Sequence, residues 1–210
     1  DADTTSRKGA HARLLESFRL GHANVLVGTQ MIAKGLDFPN VTLVGVLSAD
    51  MTLNFPDFRA AEHTYQLVSQ VSGRAGRDER PGKVVVQCYD PSHYVLKTVQ
   101  VHDYINFYRQ EITYRRQLGY PPFGHLTRIL IQGPQEAVET YAWEIYPKLE
   151  QKLRAAEVFK PAPAPISKIK GRYRYQIIIK SSVRLSSSLQ DLPPTRDVSV
   201  SIDCDPLFLL

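Results

Sequence analysis

Gly28–Asn40, GTQMIAKGLDFPN, and Gln70–Arg77, QVSGRAGR, decide how the rest of the chain is read. The first segment sits where a strand runs into a loop. Gly28 and Gly35 let backbone approach a ligand closely, because no Cβ stands in the way. Thr29 and Gln30 offer a hydroxyl and an amide to a phosphate, and Asp37 can accept from sugar hydroxyls. The second segment puts Arg74 and Arg77 three residues apart at the end of a helical pattern. Residues at that spacing share a helix face, so both guanidiniums can address one anion. A guanidinium is a permanently charged, planar donor fork that suits phosphate oxygens. Each segment has a plainer reading, a strand–loop–strand turn and a basic helix end that complements the dipole. Their order along the chain, with a strand between them, favours one shared phosphate site.

Outward from these segments the chain alternates helix and strand. Thr4 or Thr5 can cap a helix to about Leu20, with Ala10, Leu14, Leu15 and Phe18 on one face and Gly21 as its stop. Asn24–Gly28 reads as a short buried strand. Val41–Leu47 is a continuous apolar run of the kind found in parallel sheets. Asp57 can cap a helix through about Gly73 that buries Ala61, Tyr65, Val68 and Val71. Pro81-Gly82 turns into a strand over Lys83–Tyr89. This alternation predicts a parallel α/β layer over residues 1–100.

A single long helix is expected over Tyr94–Leu118, with Tyr104, Ile105, Tyr108 and Ile112 on one face and residues 101–118 acting as a connector. Tyr120-Pro121-Pro122-Phe123 is a rigid break. Residues 119–210 then read as a second, smaller α+β domain. Its expected order is strand Leu126–Gln132, helix Gln135–Ala156, strand Pro165–Ile169, strand Arg172–Lys180, a short helix near Leu185–Leu192 and strand Asp197–Asp203. That order is βαββαβ, the split βαβ plan. The PAPAP stretch over 161–165 reads as a stiff approach to a strand.

The composition excludes little. The 210 residues carry a net charge of +5 and 43% hydrophobic side chains, which allows buried cores and hints at a polyanionic partner. No apolar stretch reaches membrane-spanning length and no signal peptide opens the chain, so a cytosolic protein is expected. Cys88 and Cys204 lie far apart, and no cluster of metal ligands is present. From Val158 to Gln190 there is no Asp or Glu, while Lys160, Lys168, Lys170, Arg172, Arg174, Lys180 and Arg184 fall within it. Strand alternation puts Arg172, Arg174 and Gln176 on one face and Tyr173, Tyr175 and Ile177 on the other. Bases can stack on such tyrosines and phosphates can bind such cations. Equally, the tyrosines can be core and the arginines a solvated face, and both readings stand. Trp143 reads as packing, His63, His93, His102 and His125 as surface or structural residues, and Asp50 as either a cap or a site residue at a sheet's carboxyl edge.

The two opening segments resemble motifs V and VI of superfamily 2 helicases. The further blocks FPDFRAAEHTYQLVSQVSGRAGR, YRRQLGYPPF, KGRYRYQ and SIDCDP resemble the PriA family of primosomal replication-restart helicases, from about residue 1 to 205. The resemblance implies a RecA-like second helicase lobe followed by that family's C-terminal domain. It implies ATP with Mg2+ as cofactor of the full-length protein, with Gly35, Asp37 and Gln70 at the nucleotide and Arg74 and Arg77 on its phosphates. It implies DNA contacts by Thr29 and Gln30 in motif V, and lends weight to Lys168, Lys170, Arg172, Tyr173 and Arg174 as a DNA-binding stretch. Forked DNA, single-stranded-DNA-binding protein and primosome proteins are the partners implied, and a nucleoid-associated cytoplasmic location follows. The family's zinc module lies between its helicase motifs, before the point where this chain starts, so zinc is implied without ligands here. No G-x-x-x-x-G-K-[ST] loop or acidic magnesium box occurs in the chain, which points to a portion of a longer enzyme that is inactive by itself. The alternatives are a non-catalytic DNA- or protein-binding module and another superfamily 2 translocase. The YPPF and KGRYRYQ blocks argue against the latter.

Overall fold

The computed structural model describes residues 10–29, 41–73, 82–185, 189, 192 and 197–209. The chain divides into two compact units, one of residues 1–54 with 61–107 and one of residues 55–60 with 108–210.

In the first unit, α1 runs from Ala10 to Arg19. It stops at Gly21, which adopts φ +77. The Gly21 N–H donates to Phe18 O and the His22 N–H to Ser17 O, the paired bonds that satisfy a helix's last carbonyls. The following stretch, 24–28, forms no strand. Val25 and Val27 are 73% and 82% exposed. A strand exists through its ladder, and among the described residues none pairs with this one, so the expected buried strand is absent.

Strand β1 (Leu43–Val46) pairs in parallel with a later strand, and between them lie α2 (Ala49–Leu53) and α3 (Ala60–Ser72). That later strand is β2 (Lys83–Val86), in register Leu43↔Lys83 through Val46↔Val86. The parallel layer expected from the alternation is therefore present, although only alternate residues of each strand are shielded. The core is formed by Tyr65 and Val68 of α3 with Val95, Val99 and Phe107, and Leu53, Ala61, Val86 and Tyr94 pack around them.

The helical stretch after β2 is two helices, α4 (Tyr94–Gln100) and α5 (Tyr104–Leu118), where the periodicity predicts one. Local hydrogen bonding breaks it. His102 takes φ +53, its N–H donates to Val99 O, and the Asp103 N–H donates to Thr98 O, closing α4. The Asp103 carboxylate then accepts from Asn106 N at 3.0 Å, capping α5. This cap sets the phase of α5. Phe107 stacks on Tyr65 at 4.3 Å and Glu111 is buried, while Tyr104, Ile105 and Tyr108 of the expected apolar face are exposed.

The second unit contains β3 (His125–Gly133), α6 (Gln135–Lys152), β4 (Glu157–Val158), β5 (Ala162–Ile169), β6 (Arg172–Ser181) and β7 (Ser199–Cys204). The sheet order is β4-β6-β3-β7, with β5 also on β6. Every pairing is antiparallel. This is the arrangement a split βαβ chain makes when its third long strand inserts beside its first. The short β4 was not legible in the sequence. The expected helix near 185–192 falls largely outside the described residues, though Leu185 and Leu189 are buried in the core. Two of the PAPAP prolines, Pro163 and Pro165, lie in β5 itself. Among the described residues that strand pairs only with β6, so on its other side a missing N–H is tolerated.

The core of this unit lies between the sheet and α6. The stripe Val138, Tyr141, Ala142, Ile145 and Leu149 recurs at helical spacing and meets Ile129, Ile131, Ile177 and Ile179. Trp143, expected in the packing, falls off that stripe and is 46% exposed, meeting Tyr146 edge-on.

Candidate functional site

Of the residues proposed for the phosphate site, Thr29 and Gln70 are described and exposed; Gln30, Gly35, Asp37, Arg74 and Arg77 lie outside the described residues. Gln70 sits in the last turn of α3, and Arg74 follows two positions after its end at Ser72. The exposed hydroxyl and amide are donors of the type a triphosphate accepts from. Asp50 has a structural task. Both its carboxylate oxygens accept from the Tyr89 N–H, at 3.2 and 3.0 Å, tying the first turn of α2 to the segment that follows β2.

The basic stretch of the second unit is sorted by the structure into engaged and available cations. Arg174 is 7% exposed. Its Nη1 donates to Ile166 O at 3.1 Å, and its Nε has no partner. It shares its sheet face with Arg172 and Gln176, as alternation predicts, but that face is not solvated. Leu126 and Leu130 on the same face of β3 are buried. Beside them, burial disfavours the charge of Arg128, and Asp203 and Asp57 oppose that shift. Lys180 pairs with Glu157 at 2.7 Å and lies over the Tyr120 and Phe159 rings. Arg184 approaches Asp205 at 3.6 Å.

What remains outward is the β5–β6 hairpin. Lys170 and Gly171 form its two-residue turn with φ +48 and +80, between paired Ile169 and Arg172. Positive φ at both central residues is the type I′ geometry that matches strand twist. Lys168 lies over the Tyr173 ring, its Nζ 4.5 Å from the centroid. Arg172 is exposed and its Nη2 donates to Gln132 O at 3.1 Å and Ser199 Oγ at 3.2 Å. Tyr173 and Tyr175 lean on the core from the α6 side. Burial and then Glu139 push the Tyr175 phenol above its ordinary value. Over 174–181 the cations Arg174 and Lys180 are held by neighbouring elements, while Lys168, Lys170 and Arg172 near the tip are exposed.

Two of the histidines make structural contacts. His93 Nδ1 accepts from Val95 N at the start of α4, and His125 Nδ1 meets Asp205 at 3.0 Å. Sequence reasoning missed a second cluster, around 55–60. Asp57 was legible as a cap, but its partner lies 152 positions away at Leu209, and no local pattern reports such a pairing.

Comparison with known proteins agrees with this architecture. Residues 3–79 match the helicase conserved C-terminal domain. Residues 116–207 match the primosomal protein N C-terminal domain. The chain is 47% identical to the replication restart protein PriA of Bacillus subtilis over all of its length and 28% of that relative's. It is 46% identical to the PriA of Synechocystis, over 100% of the chain and 26% of the relative. It is 37% identical to the PriA of Haemophilus influenzae, over 98% of the chain and 30% of the relative. It thus spans less than a third of the length of these relatives. With both domain matches in order, the chain carries a helicase conserved C-terminal domain followed by a primosomal protein N C-terminal domain, and along its whole length it is similar to a portion of replication restart proteins named PriA.

Proposed function

We propose that this chain supplies the second helicase lobe and the C-terminal domain of an ATP-driven DNA helicase that recognises stalled or forked DNA and restarts replication through primosome assembly. The observation that carries the reading is the succession of a helicase C-terminal domain and a primosomal protein C-terminal domain in one chain. ATP with Mg2+ would supply a phosphoryl group whose transfer builds up negative charge. Arg74 and Arg77 stabilise that charge, Gln70 and Thr29 orient phosphate oxygens, and Gly35 and Asp37 hold the nucleotide. Thr29 and Gln30 reach toward the DNA strand. In the second unit the hairpin cations Lys168, Lys170 and Arg172 take DNA phosphates, with Arg174 as the buried support of that hairpin. The resemblance adds single-stranded-DNA-binding protein and primosome proteins as partners. The chain alone hydrolyses no ATP, because its sequence has no phosphate-cradling loop and no acidic magnesium box.

The decisive experiment measures DNA-stimulated ATP turnover of the full-length protein. Arg74→Ala and Arg77→Ala are each expected to lower it about 1,000-fold, the lower range for loss of an arginine finger. The melting temperature should hold, since a charge at a helix end contributes only about 0.3–1 kcal/mol. Near-normal turnover in either variant overturns the assignment.

A further inference from the structure

Over 108–118, the part of α5 that belongs to the second unit, the usual partition of side chains is inverted. An ion pair is turned inward: Arg115 Nε donates to Glu111 Oε1 at 2.7 Å, and the two side chains are only 13% and 11% exposed. An aromatic ring is turned outward, with Tyr108 50% exposed. A buried charge and an exposed apolar patch are the departures from ordinary burial that carry information, and the second marks an interaction surface. The charge of that surface is one-sided. Between Tyr108 and Phe123 the only acid is Glu111, and Arg115 already holds it.

The outward residues follow one another along a single side of the helix. Arg109, Ile112 and Arg116 are three and four positions apart, and Tyr108 is four positions before Ile112, so the four are neighbours. Arg109 and Arg116 are exposed, and neither forms an ion pair among the described residues. The Arg116 guanidinium lies over the Phe123 ring, 4.6 Å from its centroid, and that ring is 39% exposed. A guanidinium over a ring still carries its donors around its planar edge. The face therefore offers two flat surfaces, the Tyr108 ring and the Arg116–Phe123 stack, together with two cations. From Tyr108 to Arg116 the helix rises about 12 Å, the length of about three to four stacked nucleotides at about 3.4 Å each. A partner that matches this face needs negative charge and flat rings at intervals. An acidic peptide brings the charge without the rings, whereas a single nucleic-acid strand brings both.

We propose that Tyr108, Arg109, Ile112 and Arg116, with Phe123, form a track for single-stranded nucleic acid. Bases stack on Tyr108 and on the Arg116–Phe123 pair, with Ile112 between them, and phosphates meet Arg109 and Arg116. The proposal rests on the reading of the second unit as a DNA-binding domain. To the hairpin cations, which take phosphates, it adds a contact that holds bases.

The test measures fluorescence anisotropy of a labelled oligothymidylate, and of an abasic strand of the same length, titrated with the whole 210-residue chain. Tyr108→Leu keeps apolar bulk and removes the ring. Arg116→Lys keeps the charge and removes the planar fork that lies on Phe123. Arg109→Ala removes one cation. Tyr108→Leu should weaken oligothymidylate binding about 10-fold, the loss of one stacked base, and leave abasic binding within about twofold. Arg116→Lys should likewise weaken oligothymidylate more than the abasic strand, with the salt slope unchanged. Arg109→Ala should lower the salt slope by about 0.7 unit on both strands, the single-strand value for one phosphate. Should Tyr108→Leu fail to fold, Arg116→Lys and Arg109→Ala decide. An unchanged affinity for oligothymidylate, or an equal loss on both strands, would make Tyr108 and Arg116 packing residues and overturn the proposal. Polyglutamate that displaces oligothymidylate at equal charge concentration would make the face a dock for acidic peptides and also overturn it. A chain that binds no oligothymidylate at all removes the DNA-binding reading of the second unit as well. If the double change Lys170→Ala with Arg172→Ala weakens binding while Tyr108→Leu and Arg116→Lys do not, that reading stands and only the track falls.

Discussion

Arg172 and Arg174 are two positions apart on one strand and have opposite circumstances. Arg172 reaches solvent at the hairpin, and Arg174 is buried under β5 with its Nη1 on the Ile166 carbonyl. Arg174→Ala should lower stability by about 1–3 kcal/mol, the cost of leaving a buried acceptor unpaired. For a domain of this size that is a fall of about 4–8 °C in melting temperature per kcal/mol. DNA affinity per folded molecule, measured by salt titration, should not move. Arg172→Ala should do the reverse, leaving the melting temperature nearly unchanged and lowering the salt slope by about one unit. A lowered slope for Arg174→Ala would reinstate it as a phosphate contact. Tyr173 is bounded on both sides, by the core on one and by Lys168 on the other. Base stacking there would require Lys168 to leave the ring, so the aromatic reading of this strand loses ground to the phosphate reading.

Two elements owe their form to single side chains. The hairpin turn places a lysine at φ +48, a conformation in which Asn or Gly is favoured and other residues carry a penalty of about 1–2 kcal/mol. Lys170→Asn should therefore raise the melting temperature while reducing the salt slope of DNA binding by about one unit, because it improves the turn and removes a cation. A variant that changes neither would remove this tip from the interface. The break between α4 and α5 depends on Asp103. Asp103→Ala should destabilise the first unit by about 0.5–2 kcal/mol. Hydrogen exchange should locate the loss in the first turn of α5 and in Phe107, whose ring stacks on Tyr65. An apolar repeat can show that 94–118 is helical, but it does not show a stop when the closing residue is a histidine in a left-handed conformation rather than a glycine.

At the scale of the whole molecule, the chain joins a parallel layer to an antiparallel sheet, and each follows a different sequence signal. Purified alone, the chain should show no ATP turnover with or without DNA. It should bind single-stranded DNA weakly, with affinity falling steeply between low and physiological salt as counterions are released. DNA-stimulated hydrolysis by this chain would refute the half-site reading. The alternation of helix and strand, the long strands and long helix of the second domain and the capping role of Asp57 were determined by sequence alone, because each depends on local periodicity or on residue types within a few positions. The tertiary structure decided which cations are free: Arg174, Lys180 and Arg184 read as a uniform basic run, yet their partners Ile166, Glu157 and Asp205 come from other elements. It also decided that Val25 and Val27 form no strand, and that Asp57 faces Leu209. Ladders, burial and pairings of this kind link residues far apart in the chain, and one-dimensional spacing carries no record of which distant group will arrive at a given face.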